Sequence, residues 1–132
     1  AAFWGHEVVW TDLREGPGVI GCDLTKPGTL LLLPRCEMVT ALSVLEHVIG
    51  LEDAIESLVS LVNRWLIVAV PLNYPPHSCP IDNGWRPTAA QLADKLESFG
   101  LTVLEKYETT PETFGSVLGA NASLVLAAKQ HG

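Results

Sequence analysis

The chain has 132 residues, of which 48% are hydrophobic and 17% charged, and its 8 Lys and Arg against 15 Asp and Glu give a formal net charge of −7. This length and apolar content predict a single folded domain with a substantial core and exclude an intrinsically disordered chain. The acidic balance excludes a general nucleic-acid binder, because no basic stripe is present to neutralise phosphates.

Three features of the sequence bear on its cellular environment. The longest apolar runs, 30–34 and 65–71, are far shorter than the roughly 20 residues that cross a bilayer, so no membrane helix and no membrane partner are expected. The cysteines Cys22, Cys36 and Cys79 are odd in number and widely spaced, which fits a reduced compartment better than a disulfide scaffold. The start lacks a signal-peptide pattern. We therefore expect a cytoplasmic protein.

The first elements in chain order are two short predicted strands, 7–10 and 19–22. Between them, Gly16, Gly18 and Gly21 fit the G-x-G-x-x-G pattern of dinucleotide-binding loops. That pattern requires a helix to begin directly after it, and the residues after Gly21 cannot start one of useful length. We therefore interpret this segment as a turn that joins two strands.

Each of these strands is followed by an Asp-Leu pair, Asp12-Leu13 and Asp23-Leu24. A carboxylate at the carboxyl end of a strand can accept hydrogen bonds from the ribose hydroxyls or the exocyclic amine of a nucleotide. Alternatively, each aspartate caps the turn that follows it, since Asp commonly starts turns. Two acids at successive strand ends favour the first interpretation more than either acid alone would.

A βαβ unit is predicted in the middle of the chain. Residues 38–44 and 65–70 are near-continuous apolar runs, typical of parallel strands that are covered on both faces. Between them, apolar residues recur at three- and four-residue spacing over 51–62, with acids near the start, which predicts an amphipathic helix. Because such crossovers are right-handed and short, the two strands should be parallel neighbours.

Glu46 and His47 directly follow the first strand of that unit. A histidine in this place can act as a general base or orient a substrate near neutral pH. Alternatively, Glu46 and His47 cap and charge the helix that begins nearby.

The stretch from Pro71 to Pro87 is the candidate functional loop, because it follows the end of an apolar strand and is rich in proline and polar side chains. His77, Cys79 and Asp82 match no closed zinc spacing, so no metal site is expected. The candidate substrate-binding residues at this loop are Pro71, Asn73, His77, Asp82 and Arg86.

The last elements complete an α/β pattern. Thr88 and Gln91 form a capping box that begins a second helix, and Gly100 ends it. Strands over 101–107 and 123–129 follow, with a terminal antiparallel pairing expected between them.

This ordered set of strand ends resembles the class I S-adenosylmethionine (SAM)-dependent methyltransferases, of the type 11-like kind that modifies small molecules or sugars. Residues 7–13 are similar to the second strand of that family, whose acid binds the cofactor ribose, and residues 21–24 to the third, whose acid faces the adenine amine. Residues 39–48 resemble the fourth strand and its exit beside the methionine portion and the substrate. Residues 68–71, 86–88 and 99–103 resemble the fifth strand, the substrate loop and the last helix with the sixth strand.

The resemblance covers nearly the whole chain and implies both a fold and a site. The fold is a Rossmann-like three-layer sandwich with a mostly parallel sheet and a C-terminal antiparallel strand. The cofactor is SAM, the methyl acceptor is a small molecule or sugar, and Glu46 and His47 are the catalytic residues. The implied cofactor-binding residues are Asp12, Leu13, Asp23, Leu24 and Ser43.

One departure from the family concerns its first strand and glycine-rich cofactor loop, which have no counterpart in this sequence. Residues 1–4 resemble the end of the helix that follows that loop, so we expect residues 1–132 to form one N-terminally truncated domain. The missing strand is central in the family sheet, and each backbone group left unsatisfied would cost roughly 1–3 kcal/mol. Either a protein partner or an upstream segment supplies that strand, or its two neighbours pair directly and close the cofactor pocket.

Three functional interpretations follow. The chain is a SAM-dependent methyltransferase domain, or a degenerate, inactive methyltransferase fold that serves as an interaction module in a larger assembly. It is alternatively a fragment of an ordinary enzyme.

Overall fold

The computed structural model describes residues 2–3, 6–73, 81–109 and 121–130. His77 and Cys79, which the sequence analysis singled out, lie outside this range. Short 3₁₀ turns cover Pro27–Leu32 and Leu45–His47, and the helices are α1 (Leu51–Leu61) and α2 (Ala89–Glu97). The strands are β1 (Ala2–Phe3), β2 (His6–Glu7), β3 (Trp10–Asp12), β4 (Val19–Gly21), β5 (Cys36–Leu42), β6 (Val62–Pro71), β7 (Leu101–Glu108) and β8 (Ala122–Lys129).

The main sheet has four strands in the order β5-β6-β8-β7. β5 and β6 are parallel, whereas β8 is antiparallel to both β6 and β7. Three strands therefore run in one direction and the C-terminal strand runs in the other, as the sequence predicted. β6 lies inside the sheet because its run of apolar residues suits a strand with neighbours on both sides, and Leu66, Val68 and Val70 are fully buried.

The core packs the two helices against this sheet. α1 buries Ile55 and Leu58, while α2 buries Leu92 and Leu96. α1 links the parallel strands β5 and β6, which confirms the predicted βαβ unit. The three-layer arrangement stays a prediction.

Helix α2 has the ends that the sequence predicted. The Gln91 amide donates to Thr88 Oγ1 at 3.1 Å, and the Thr88 amide donates to Gln91 Oε1 at 2.9 Å, so the capping box is formed. Gly100 has a φ of 87°, a left-handed conformation that favours glycine and ends the helix.

The N-terminal strands form separate small sheets. β3 and β4 are parallel, with Asp12 beside Gly21. Gly16 and Val19 exchange two backbone hydrogen bonds around Gly18, whose φ is 71°, so the glycine pattern is a turn between strands, as predicted. Trp10 and Leu13 are 56% and 60% exposed. This region thus adds little to the core.

Two expectations for this region are wrong. β1 pairs antiparallel with β2, so residues 2–3 are extended and are not the end of a helix. Pairing with β2 gives these residues backbone hydrogen bonds across a tight reversal of the chain. Among the described strands, β5 pairs only with β6, and its other edge does not pair with β3.

No helix among the described residues is long and apolar enough to cross a membrane.

Candidate functional site

The carboxyl end of β5 has a strained turn. Ser43 has a φ of 57°, the one positive value for a non-glycine residue within the described part of the chain. Its amide donates to the Ala69 carbonyl at 2.9 Å, which ties this turn to β6. Non-glycine residues adopt this conformation sparingly, and such strain is concentrated at functional sites. Ser43 itself is exposed at the strand end, and the family resemblance implied that it is a cofactor-binding residue.

The 3₁₀ turn after Ser43 buries an acidic side chain. Glu46 is 1% exposed, and its Oε1 has no hydrogen-bond partner among the described residues. Burial raises the pKa of this carboxyl above its usual value of 4.5, because the charged form loses its hydration. The buried Glu46 carboxyl is thus more easily protonated than an exposed glutamate.

His47 lies beside this carboxyl and is oriented by the loop that follows β6. Its Nδ1 is 2.5 Å from the Ile81 carbonyl oxygen, so Nδ1 carries the proton and Nε2 is the basic nitrogen of the neutral ring. Nε2 is 3.7 Å from Glu46 Oε2. The alternative that Glu46 and His47 cap α1 is wrong, because the N-cap of that helix is Gly50.

Residues 81–86 are held against the 3₁₀ turn by polar contacts. The Asn83 side-chain amide donates to the Leu45 and Val48 carbonyls at 2.8 and 2.7 Å, and its backbone amide donates to the Glu46 carbonyl at 2.8 Å. Asp82 and Arg86 form a bidentate ion pair at 2.6 and 3.1 Å with 3% and 13% side-chain exposure. These bonds bring Asp82 and Arg86 to the side of the site that carries Glu46.

Two other predicted substrate residues lie elsewhere. Pro71 ends β6 beside Ala122, and Asn73 Oδ1 accepts a hydrogen bond from the Asn121 amide at 2.8 Å. Both therefore lie at the start of β8. No described contact joins them to the loop residues near His47. His77 is outside the described residues.

The two predicted cofactor acids lie at the carboxyl ends of β3 and β4. Asp12 is exposed, and its Oδ1 accepts from the Leu13 amide at 2.6 Å. Asp23 Oδ1 accepts from the Thr25 hydroxyl at 2.6 Å and the Thr25 amide at 2.9 Å. The Thr25 hydroxyl is the main reason that the pKa of Asp23 lies below its usual value of 3.8, followed by the Thr25 amide. Asp23 thus does cap the turn that follows it.

The turn after Asp23 packs beside the start of α1. The Leu24 carbonyl accepts a hydrogen bond from the Ser57 hydroxyl at 2.6 Å. A Cβ placed on Gly50 would lie 3.7 Å from Thr25 Cγ2. The predicted cofactor end of β4 and the turn that carries His47 therefore meet at the N-terminus of α1.

An open cleft of about 280 Å³ lies next to His47 along the chain. Two of its lining residues, Asn83 and Trp85, lie in the loop that the sequence predicted to be functional, whereas Ile49, Gly50 and Leu51 were not selected. The one available signal was Ile49, an apolar residue placed between His47 and a helix start, which is 71% exposed. The cleft is lined by Val48, Ile49, Gly50, Leu51, Asn83 and Trp85.

The donors and acceptors at the strand ends fit a nucleoside cofactor. Asp12 is exposed and Asp23 half-buried, and both are carboxylates at the ends of adjacent parallel strands. Such groups accept hydrogen bonds from ribose hydroxyls and an amine. Within the described ranges, no group of three or more His, Cys, Asp and Glu side chains is placed to hold a metal ion.

Comparisons with known proteins identify a shared fold. No protein-family model and no curated protein sequence matches the chain. It is similar to the solved structure of magnesium protoporphyrin IX methyltransferase (ChlM) from Synechocystis PCC 6803 with bound SAM, at 18% identity and a TM-score of 0.59. The structure of the same enzyme with bound SAH is 17% identical to the chain with a TM-score of 0.57. The structure of the [4+2]-cyclase SpnF is 14% identical with a TM-score of 0.60.

These matches cover 85–86% of this chain and 46%, 51% and 56% of the solved chains, in the same order. The chain therefore spans about half the length of the structures that it matches. One of these structures is of a cyclase, so the fold alone does not define a reaction. The chain has the α/β fold of a SAM-binding methyltransferase, as the resemblance in its sequence predicted.

Proposed function

We propose that this chain is a SAM-dependent methyltransferase domain that acts on a small molecule or sugar. The observation that carries the proposal is the arrangement of His47 and Glu46 at the carboxyl end of β5, on a fold shared with a SAM-bound enzyme. Ligands in open α/β sheets bind outside the carboxyl ends of the strands, and the strained Ser43 marks this end of β5.

The cofactor side of the proposed site lies at β3 and β4. Asp12 would accept hydrogen bonds from the ribose hydroxyls, and Asp23 from the adenine amine, with Leu13 and Leu24 beside them. Ser43 would border the methionine portion. When bound, SAM would supply an electrophilic methyl group on its sulfonium sulfur.

The acceptor side centres on His47. Because Nδ1 donates to the Ile81 carbonyl, Nε2 faces Glu46 and is free of a proton in the neutral ring. For a hydroxyl acceptor, Nε2 would take the proton that the oxygen loses on methylation. The Glu46 carboxylate at 3.7 Å would then stabilise the imidazolium. Most of the rate enhancement would come from alignment of the acceptor with the methyl group.

The five loop residues that the sequence assigned to the substrate divide into two groups in this proposal. Asp82 and Arg86 pair with each other, so they position the loop over the site. Pro71, Asn73 and His77 stay predicted substrate residues: Pro71 and Asn73 lie at the end of β6 beside the start of β8, and His77 follows them in the chain.

Calorimetric titration of SAM into the chain tests this proposal. We expect measurable heat with one site, and we expect Asp12→Asn to weaken binding about tenfold through loss of a charged acceptor, since each tenfold change is about 1.4 kcal/mol. Glu37→Gln is the matched control, because Glu37 on β5 is also an exposed acid. A chain that is folded by circular dichroism and releases no heat would contradict the proposal.

A second candidate function, an inactive fold that serves as an interaction module, is favoured by one observation. Among the described strands, β5 pairs on one side only, and it carries Met38 and Leu42, which are 48% and 53% exposed. The opposite edge strand, β7, carries Glu105 and Lys106, the kind of charges that discourage strand addition. The occupant of the β5 edge in this proposal is an extended strand of a partner polypeptide.

Light scattering on the isolated chain tests this second function. A module that lacks its strand should associate in a concentration-dependent way, and Met38→Lys together with Leu42→Lys should abolish that association. Leu104→Lys on β7, where Leu104 is 52% exposed, is the control. A well-folded monomer at all concentrations would argue against an obligate partner.

A further inference from the structure

The cleft beside His47 has mainly apolar walls. Val48, Ile49 and Leu51 are aliphatic, and Trp85 adds an aromatic wall that packs on the core. The fifth lining position, Gly50, has no side chain. Its φ of 93° is left-handed, a conformation that disfavours any residue with a Cβ and so keeps this part of the wall open.

Asn83 supplies the one polar side chain that lines the cleft, and its polar atoms are already used. Its side-chain nitrogen donates to the carbonyls of Leu45 and Val48. Its Oδ1 accepts from the Trp85 amide at 2.8 Å. The amide therefore holds the loop in place and does not offer its hydrogen atoms to a ligand. A sugar placed here would lose hydration from its hydroxyl groups without compensation from the lining side chains.

Charge around the cleft disfavours an anionic ligand. Glu52 and Asp53 occupy the first turn of α1, directly after the lining residue Leu51. Glu52 pairs with Lys95, so Asp53 is the carboxylate that matches the positive end of the helix dipole at that turn. A neutral ligand fits this environment best.

We infer that this cleft receives the neutral, apolar ring system of the methyl acceptor, and that the acceptor is an aromatic small molecule in preference to a sugar. The inference rests on the proposed function, since it places the acceptor beside the base His47. The volume of about 280 Å³ lies just below that of typical ligand sites, which are about 300–1,000 Å³. It therefore suits one or two rings, with the Trp85 indole as the stacking wall.

The test is a titration of the full chain with 2-naphthol, a neutral two-ring phenol, and separately with glucose, followed by methyl and indole NMR. We expect 2-naphthol to cause saturable shifts at Val48, Ile49, Leu51 and Trp85, and glucose to cause none. Ile49→Asp should weaken 2-naphthol binding at least tenfold. Ile49 is 71% exposed, so this change does not bury a charge and the fold should be kept.

Leu104→Asp is the matched control, since Leu104 is an exposed leucine on β7 outside the cleft. We expect its 2-naphthol affinity to stay within twofold of the unchanged chain. Equal affinity in the Ile49→Asp chain, shifts centred on Met38 and Leu42, or saturable glucose shifts at the cleft methyl groups would each overturn the inference.

This experiment needs no SAM, so its outcome is separate from that of the calorimetric test. Naphthol bound in the cleft of a chain that does not bind SAM would leave the ligand class standing and remove the methyltransferase proposal. SAM binding with no naphthol in the cleft would leave the methyltransferase proposal standing and remove the ligand class.

Discussion

The two groups of strand ends that form the proposed site are held in different ways. Near the end of β5, Glu46 is 1% exposed, Asp82 pairs with Arg86 at 3% and 13% exposure, and His47 is 26% exposed. At the ends of β3 and β4, Asp12 and Asp23 are exposed or half-buried and take their described hydrogen bonds from residues one or two positions away.

The acceptor side is thus held by contacts between residues far apart in the sequence, and the cofactor side by contacts between near neighbours. The contacts of Asn83 join residues 35 and 38 positions apart, so the acceptor side depends on the packing of β5 and the following loop. The cofactor side depends on turns that form from neighbouring residues. We therefore expect substitutions on the acceptor side to lower the free energy of unfolding, and those on the cofactor side to alter ligand binding with little loss of stability.

The largest expected effect is that of Arg86→Met. This change leaves the buried Asp82 carboxylate without its bidentate partner, and breaking a buried pair on one side costs about 3–5 kcal/mol of unfolding free energy. Urea unfolding measures the loss. Lys26→Met on the cofactor side is the control, since Lys26 is 75% exposed and 4.0 Å from Asp23, and it should cost less than about 1 kcal/mol. Equal losses in the two variants would remove the distinction between the two sides.

A smaller effect is expected for Asn83→Ala. The change removes three side-chain hydrogen bonds and leaves the Leu45 and Val48 carbonyls without this donor, for a loss of about 2–3 kcal/mol. Asn73→Ala removes one exposed bond to Asn121 and should cost about 1 kcal/mol or less. Thermal unfolding of both variants sharpens the comparison. If Asn83→Ala were as stable as Asn73→Ala, the loop would not depend on this side chain.

The smallest effect is a pH dependence of opposite sign on the two sides. Burial raises the pKa of Glu46, so the folded chain keeps a proton that the unfolded chain releases, and this group makes the unfolding free energy fall as pH rises above about 4.5. The Thr25 hydrogen bonds lower the pKa of Asp23, so its contribution is present above about 3.8 and is lost as pH falls further.

Urea unfolding over a pH series tests both signs. Glu46→Gln should flatten the decline above pH 4.5, which for one proton is at most about 1.4 kcal/mol per pH unit. Asp23→Asn should flatten the fall in unfolding free energy below pH 3.8 and leave the fall above pH 4.5 unchanged. A Glu46→Gln chain with the same slope as the unchanged chain above pH 4.5 would show that this carboxyl does not titrate abnormally.

Much of the fold was predictable because its signals are local. The periodic apolar residues of α1 and the capping box of α2 specify these helices within a few residues, and Gly100 marks where α2 ends. The positions of Asp12 and Asp23 at strand ends were predicted for the same reason. The extended pairing of residues 2–3 was not, because so short a segment carries almost no periodicity.

The site was predictable as a set of residue types and less as a set of contacts. His47 and Glu46 were selected from their place after an apolar run, but their 3.7 Å separation depends on a 3₁₀ turn that no local motif marks. Asn73 and Asp82 were assigned to one loop, yet Asn73 contacts Asn121 and Asp82 pairs with Arg86. Partners that far apart along the chain leave no signature in a single sequence.

The sequence by itself determined the α/β class, the order of the two helices and the main-sheet strands, the polar strand ends and the resemblance to the methyltransferases, because each depends on hydrophobic periodicity and short motifs. Only the tertiary structure decided that Glu46 is buried with a raised pKa, that Asn83 clamps the loop and that an apolar cleft opens beside His47. Burial and shape arise from packing between distant segments. Such packing involves residues far apart in the sequence, so no local pattern of residues predicts it.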